Sequence, residues 1–195
     1  MKKLMAGFTM IELLIVIGVL GILATGLLAA VDPFEQLKKA RDTNNRSSAI
    51  SLQTAFTRYY ATHGALPWDN PGVAGTCPVT IWAAPRNPGT PLALNNAAMS
   101  PCITLLENDG ELKTGFVAAV GATAATMYVN SIAAASVSVC FAPTSKAIFA
   151  DTNTKFDNGG FDNTTKTPAS CTDALKAAGT QKVTDSPASC YFCAK

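Results

Sequence analysis

From Leu13 to Val31 the chain reads LLIVIGVLGILATGLLAAV, with no charged side chain. This run constrains the fold more than any other feature. As a helix its 19 residues rise about 28 Å, close to the roughly 30 Å hydrocarbon core of a bilayer. A helix apolar all round must be surrounded by protein or by lipid. Lys2 and Lys3 precede the run, which predicts a cytoplasmic N-terminus and a single crossing, with the rest of the chain outside. One carboxylate, Glu12, sits at the edge of the run. A carboxylate within an apolar helix costs on the order of 2.5–3.5 kcal/mol on insertion scales, and such residues are functional more often than incidental.

Three kinds of segment share these features. A secretory signal would be cut near Ala29 or Ala30, but its apolar stretch is usually about 7–15 residues. A plain anchor has the right length and no use for Glu12. A signal of the third kind is cut ahead of the apolar run and leaves the helix on the mature protein.

The stretch GFTMIELLIV, with its short basic leader, resembles the N-terminal motif of type IV pilins and pseudopilins. The resemblance implies cleavage after Gly7 by a prepilin peptidase, methylation of the new N-terminus at Phe8, and a role for Glu12, then the fifth residue, in assembly. In such filaments this glutamate neutralises the N-terminal amine of an adjacent subunit. An ion pair in a low-dielectric core offsets the burial of both charges, and loss of one partner strands the other. Implied partners are copies of this chain and other pilins in a helical filament, the peptidase, inner-membrane assembly machinery, and the membrane before assembly. The filament is either a surface pilus for adhesion, motility or DNA uptake, or the pseudopilus of a type II secretion system. A membrane-tethered exported enzyme or binding module is the reading of another class. Gly18, Gly21 and Gly26 fit either close helix approach or local unwinding.

After the run, VDPFEQL predicts a helix restart, with Asp32 as cap, Pro33 in the first turn and Glu35 three residues after the cap. KKARDTNNRSS reads as polar all round, a solvated face, a frayed connection or a subunit contact. Ala49, Leu52, Phe56 and Tyr59 then mark one apolar helix face that should pack on a sheet, and Gly64 and Pro67 end the helix near residue 63. His63, the single histidine, falls in the last turn, where partial positive charge is favoured.

Residues 64–115 are rich in Pro, Gly and Asn and too long for an ordinary loop. They occupy the place of the variable connection in pilin-like proteins. GFVAAVGATAA and ATMYVN look strand-like, and Val137, Val139 and Phe141 followed by Ala147 and Phe149 predict a hairpin around a Pro143–Lys146 turn. The expected fold is α+β: a long N-terminal helix, membrane-spanning in its first half, packed on an antiparallel meander sheet, as in pilins. Its organisation would be a leader over 1–7, a transmembrane and filament-core helix over 8–31, and an exported domain over 32–195. Within that domain the helix reaches about 63, the connection spans 64–115, and the sheet and disulfide region span 116–195.

All six cysteines, Cys77, Cys102, Cys140, Cys171, Cys190 and Cys193, lie beyond the apolar run, as expected for an exported part in an oxidising compartment. A Cys77–Cys102 bond would close a loop of about 25 residues and stabilise by roughly 3 kcal/mol in the chain-entropy model. Cys190-Tyr-Phe-Cys193 lacks the second close pair of a zinc site, and a redox C-x-x-C opens a helix, whereas only two residues follow Cys193. In a strand its two cysteines sit on opposite faces, about 10 Å apart, too far to bond each other. Pilins staple their C-terminal region to the sheet, which implies separate bonds from Cys190 and Cys193 to Cys140 and Cys171, in either order.

DTNTKFDNGGFDNTTKTPASC reads as a turn-rich loop. Asp151, Asn153, Asp157, Asn158 and Asp162 offer oxygen ligands, the three aspartates being calcium candidates by likeness to major pseudopilins. The spacing fails as an EF-hand, because Lys155 and Phe156 fall where a ligand and a glycine are needed. No other cofactor is expected. Without the first seven residues, 13 basic side chains face 13 acidic ones, so no basic surface for nucleic acid is expected. Asn45–Ser47 and Asn163–Thr165 match the N-x-[ST] pattern, which is frequent by chance. The sequence carries no phosphate loop, nucleophile elbow or internal repeat, and a non-enzymatic role is expected.

Overall fold

A computed structural model describes residues 7–30, 32–70, 77, 90–133, 135–162, 171 and 190–195. The leader lysines and the Asn163–Thr165 match lie outside the described residues. The chain divides into two units, up to Leu37 and from Lys38 onward.

The first unit holds helix α1, Met10–Ala30. Its stretch Met10–Leu27 is long and apolar enough to cross a membrane, and every residue of it is exposed. Helix α2, Pro33–His63, begins in this unit. Asp32 caps it as expected: its Oδ1 accepts the N–H groups of Phe34 (3.1 Å) and Glu35 (3.3 Å).

The second unit is an α+β head. Besides most of α2 it contains β1 (Leu92–Ala93), α3 (Ser100–Asn108), α4 (Phe116–Val120) with a 3-10 turn at Gly121–Ala125, β2 (Met127–Ala133), β3 (Ser136–Phe141), α5 (Lys146–Phe149), β4 (Thr154–Phe156) and β5 (Tyr191–Ala194). The five strands form one sheet in the order β1-β2-β3-β5-β4, with every pair antiparallel.

The helix that packs on the sheet is α2. Ala49, Leu52, Ala55, Phe56 and Tyr59 are fully buried and share a core with Met127 and Val129 of β2, Val137, Val139 and Phe141 of β3, and Phe192 and Ala194 of β5. The register explains this common face, because Val129 opposes Val139, Val139 opposes Ala194, and Phe141 opposes Phe192. Each large core side chain contributes about 1.5–3 kcal/mol by burial. Gly64 ends α2 at φ +72°, a left-handed conformation, and its N–H bonds the Tyr60 carbonyl (2.8 Å). His63 stacks on Tyr59 in the last turn, with Nε2 3.7 Å from Asp109 Oδ2.

The structure corrects three expectations. GFVAAVGATAA is helical in α4 and the 3-10 turn, because Gly115 and Gly121 take positive φ and bracket a short helix. Glu107 Oε1 accepts the N–H groups of Gly115 (3.0 Å) and Phe116 (3.1 Å) and closes the start of α4. The second arm of the expected hairpin is α5: the Ser145 side chain accepts the Ile148 N–H and caps one helical turn, while β3 pairs back to β2. Within the connection over 64–115, which was not expected to be an ordinary loop, α3 brings Cys102, Ile103, Leu105 and Leu106 into the core. The sheet is a meander only from β1 to β3, because the C-terminal strand β5 inserts between β3 and β4.

KKARDTNNRSS is helical throughout, and its polarity conceals a fully buried carboxylate. Asp42 Oδ2 accepts the N–H groups of Thr144 (2.8 Å) and Ser145 (2.6 Å), and Oδ1 accepts the Thr144 hydroxyl (3.0 Å). Four residues on, Arg46 lies 4.8 Å over the Phe192 ring. Asp42 thus holds this polar stretch of α2 to the turn between β3 and α5, and Arg46 holds it to β5.

Candidate processing and assembly site

Gly7, Phe8 and Thr9 precede the first turn of α1 in non-helical backbone, and Phe8 is 85 % exposed. The Gly7–Phe8 bond is therefore accessible and not locked in helix hydrogen bonding. Thr9 starts the helix: its Oγ1 accepts the Glu12 N–H (3.3 Å), while Glu12 Oε2 accepts the Thr9 N–H (2.9 Å) and the Thr9 hydroxyl (2.8 Å). This is a capping box, in which cap and third residue satisfy each other's donors. The sequence reading missed Thr9, although the T-x-x-E spacing of Thr9-Met10-Ile11-Glu12 announces it.

The box has two chemical consequences. It places a carboxylate at the positive end of the α1 dipole, where negative charge is favoured. It also leaves that carboxylate with spare capacity, because an ionised carboxylate accepts about four hydrogen bonds and Thr9 supplies two. Among the described residues Glu12 has no ion pair. Gly18, Gly21 and Gly26 lie in continuous helix, each with open space where a Cβ would stand.

Further along the chain, the structure joins Cys77 to Cys102, Cys140 to Cys193, and Cys171 to Cys190. Cys140 and Cys193 are directly opposed residues of β3 and β5, so that bond runs across the inserted C-terminal strand. Cys190 and Cys193 take different partners, and no described cysteine is free.

The calcium candidates do not converge. Asp151 Oδ1 accepts the Asn153 N–H (2.8 Å) and its Oδ2 lies 3.7 Å from Arg46. Asp157 Oδ1 accepts the N–H groups of Gly159 and Phe161, both at 2.9 Å, and Asp162 pairs with Lys155 at 2.9 Å. Among the described residues no three His, Cys, Asp or Glu side chains are grouped to hold a metal ion. Instead this loop covers the second face of the sheet. The Gly159 carbonyl accepts hydrogen bonds from Asn130 Nδ2 (2.9 Å) and Ser138 Oγ (3.0 Å).

With this geometry in view, residues 2–28 match a family model described as the prokaryotic N-terminal methylation motif. The chain is 41 % identical over 75 residues to the type IV major pilin protein PilE1 of Neisseria gonorrhoeae, covering 38 % of this chain and 34 % of that protein. It is 40 % identical over 70 residues to the type IV major pilin protein PilE of the same species, covering 36 % and 41 %. It is 39 % identical over 70 residues to a fimbrial protein of Neisseria meningitidis serogroup B, covering 36 % and 40 %. The chain thus spans between a third and about two-fifths of the length of the relatives it matches. No solved structure matches it. The chain carries a pilin-like N-terminal motif and resembles type IV pilins over part of its length.

Proposed function

We propose that this chain is a structural subunit of a type IV pilus-like filament, assembled through α1. The observation that carries the reading is the methylation-motif match over residues 2–28, combined with an exposed Gly7–Phe8 bond one residue ahead of the Thr9–Glu12 capping box. In this reading the precursor waits in the cytoplasmic membrane as a single-pass protein, with its head outside. A peptidase cuts after Gly7 and the amine of Phe8 is methylated. The cut leaves both halves of the capping box on the mature chain, so Glu12 remains fixed at the helix start with capacity for one more cation. On extraction from lipid, helix–helix contacts replace lipid contacts, and Glu12 meets the N-terminal amine of a neighbouring copy. The matched relatives are a fimbrial protein and two major pilins, which favours a surface pilus over a type II secretion pseudopilus.

Mass analysis of the chain in filaments sheared from cells tests the proposal. The expected N-terminus is N-methylated Phe8, and Glu12→Ala should leave membrane insertion intact while removing the chain from the sheared fraction. An N-terminus near Ala30, or normal filaments of the Glu12→Ala variant, would overturn it.

A further inference from the structure

Outside Phe8 and the membrane-length stretch of α1, three large apolar residues among the described ones are exposed: Phe34 (73 %), Leu37 (63 %) and Ile50 (44 %). Phe34 and Leu37 are three residues apart and stand on one side of α2, with Arg41 following on the same stripe. Ile50 has a different setting. It borders an open groove of about 470 Å³ between α2 and the segment from Glu111 to Phe116. Buried Leu112 and half-buried Phe116 give the groove apolar walls near Ile50. At the far end Arg58 Nε bonds Glu111 Oε2 (2.7 Å) and Arg58 Nη2 bonds the Glu111 carbonyl (2.6 Å). A groove of this size takes several side chains.

We infer that this groove receives the Phe34–Leu37–Arg41 stripe of a second copy of this chain. Three matches support the assignment. In length, Phe34 to Arg41 covers about 10 Å of helix and Ile50 to Arg58 about 12 Å. In polarity, both surfaces run from an apolar end to a charged end in the same chain direction, as parallel copies in a filament require. In charge, Arg41 of the entering copy comes to Glu111, and Glu35 beside Phe34 comes to Lys113 on the groove wall. Arg41 and Lys113 have no ion pair within the chain among the described residues. Stripe and groove are different surfaces, so the contact is heterologous. Repetition of such a contact produces an open helical array unless the rotation closes a ring.

The inference rests on the filament-subunit reading and names one contact within it. Copies carrying Phe34→Cys are co-expressed with copies carrying Ile50→Cys, both at exposed positions, and sheared polymer is run without reductant. A disulfide-linked dimer is expected only when both variants are present. Polymer that contains both variants without that dimer overturns the contact, as does a dimer formed by Phe34→Cys alone or a cross-link to a different protein. A charge exchange gives an independent readout: Lys113→Glu should lower recovered polymer about tenfold, and adding Glu35→Lys should restore it. A double variant no better than the single overturns the assignment. Wild-type chain found processed at Phe8 but never in polymer would instead sink the subunit reading itself, and the contact with it.

Discussion

Asp42 and Glu12 are both carboxylates in helical segments that a hydrophobic pattern cannot explain, and they solve opposite problems. Glu12 is exposed and, among the described residues, bound only to Thr9, which leaves its carboxylate with acceptor positions to spare. Asp42 is fully buried and spends its oxygens on three donors at Thr144 and Ser145. Removing a buried acceptor strands its donors, at about 1–3 kcal/mol per group that water cannot reach. Thr144 is exposed and recovers hydration, whereas the Ser145 N–H is buried. Asp42→Ala should therefore cost about 3 kcal/mol, not the sum over three bonds. For a domain of this size that lowers the melting temperature by about 6–12 °C. Asp42→Asn, which keeps one acceptor oxygen, should lose less. Near-UV circular dichroism melts of the full chain in detergent measure both, and an Asp42→Ala melt equal to wild type would refute the role.

At the scale of elements, the sheet is covered on both faces by very different means. On one side α2 supplies apolar side chains. On the other, the loop from Asp157 to Asp162 lies so close that a Cβ at Gly160 would stand 2.5 Å from Ser138 Oγ and 2.6 Å from its Cβ. Gly160 also has φ +84°, so a substitution there meets backbone strain and a clash together. Gly64, at φ +72° with open space around it, meets strain alone. Gly64→Ala should cost about 1 kcal/mol and Gly160→Ala at least about twice that. Denaturant melts of the two variants separate the contributions, and equal losses would mean that the loop does not press on the sheet. The sequence made the helical face at Ala49–Tyr59 and the edges of α2 legible, because a 3.6-residue period, a cap and a stop glycine are local signals. Strand β3 was legible from the alternation of Val137, Val139 and Phe141, and β2 from the strand-like run ATMYVN. α4 was not, since small apolar residues suit strand and helix alike, although Phe116, Val117, Val120 and Ala124 in fact follow helical spacing. The insertion of β5 between β3 and β4 had no local sign at all: it depends on pairing across more than fifty residues, which the Cys140–Cys193 bond spans. The loop's aspartates looked like ligands because loop composition reports oxygen atoms and not what those atoms bind.

For the whole molecule, the division of labour is nearly complete along the chain. The N-terminal methylation motif over residues 2–28 was legible because spacing alone carries it; Thr9, the partner of Glu12, lay within the same spacing and emerges from the hydrogen bonds. Among the described residues every buried one is Asp42 or later, and all three disulfides lie in the second unit. The described residues of the first unit contribute no buried side chain, and its exposed apolar surface needs lipid or other protein around it. A chain beginning at Lys38 and exported to an oxidising compartment should keep the head's fold. It loses the Asp32 cap, worth about 1 kcal/mol to helix α2, and frays the first turn. It retains Asp42, Arg46 and the whole apolar face of α2. Such a fragment should stay in solution without detergent and melt within a few degrees of the full chain. It should also be monomeric, because it lacks Phe34 and Leu37, the stripe assigned to the groove of a second copy. Sedimentation and a thermal melt test these points together. An unfolded or aggregated fragment would show that residues before Lys38 complete the head, and a folded dimer would show that the head associates through a surface other than the one assigned to Phe34 and Leu37.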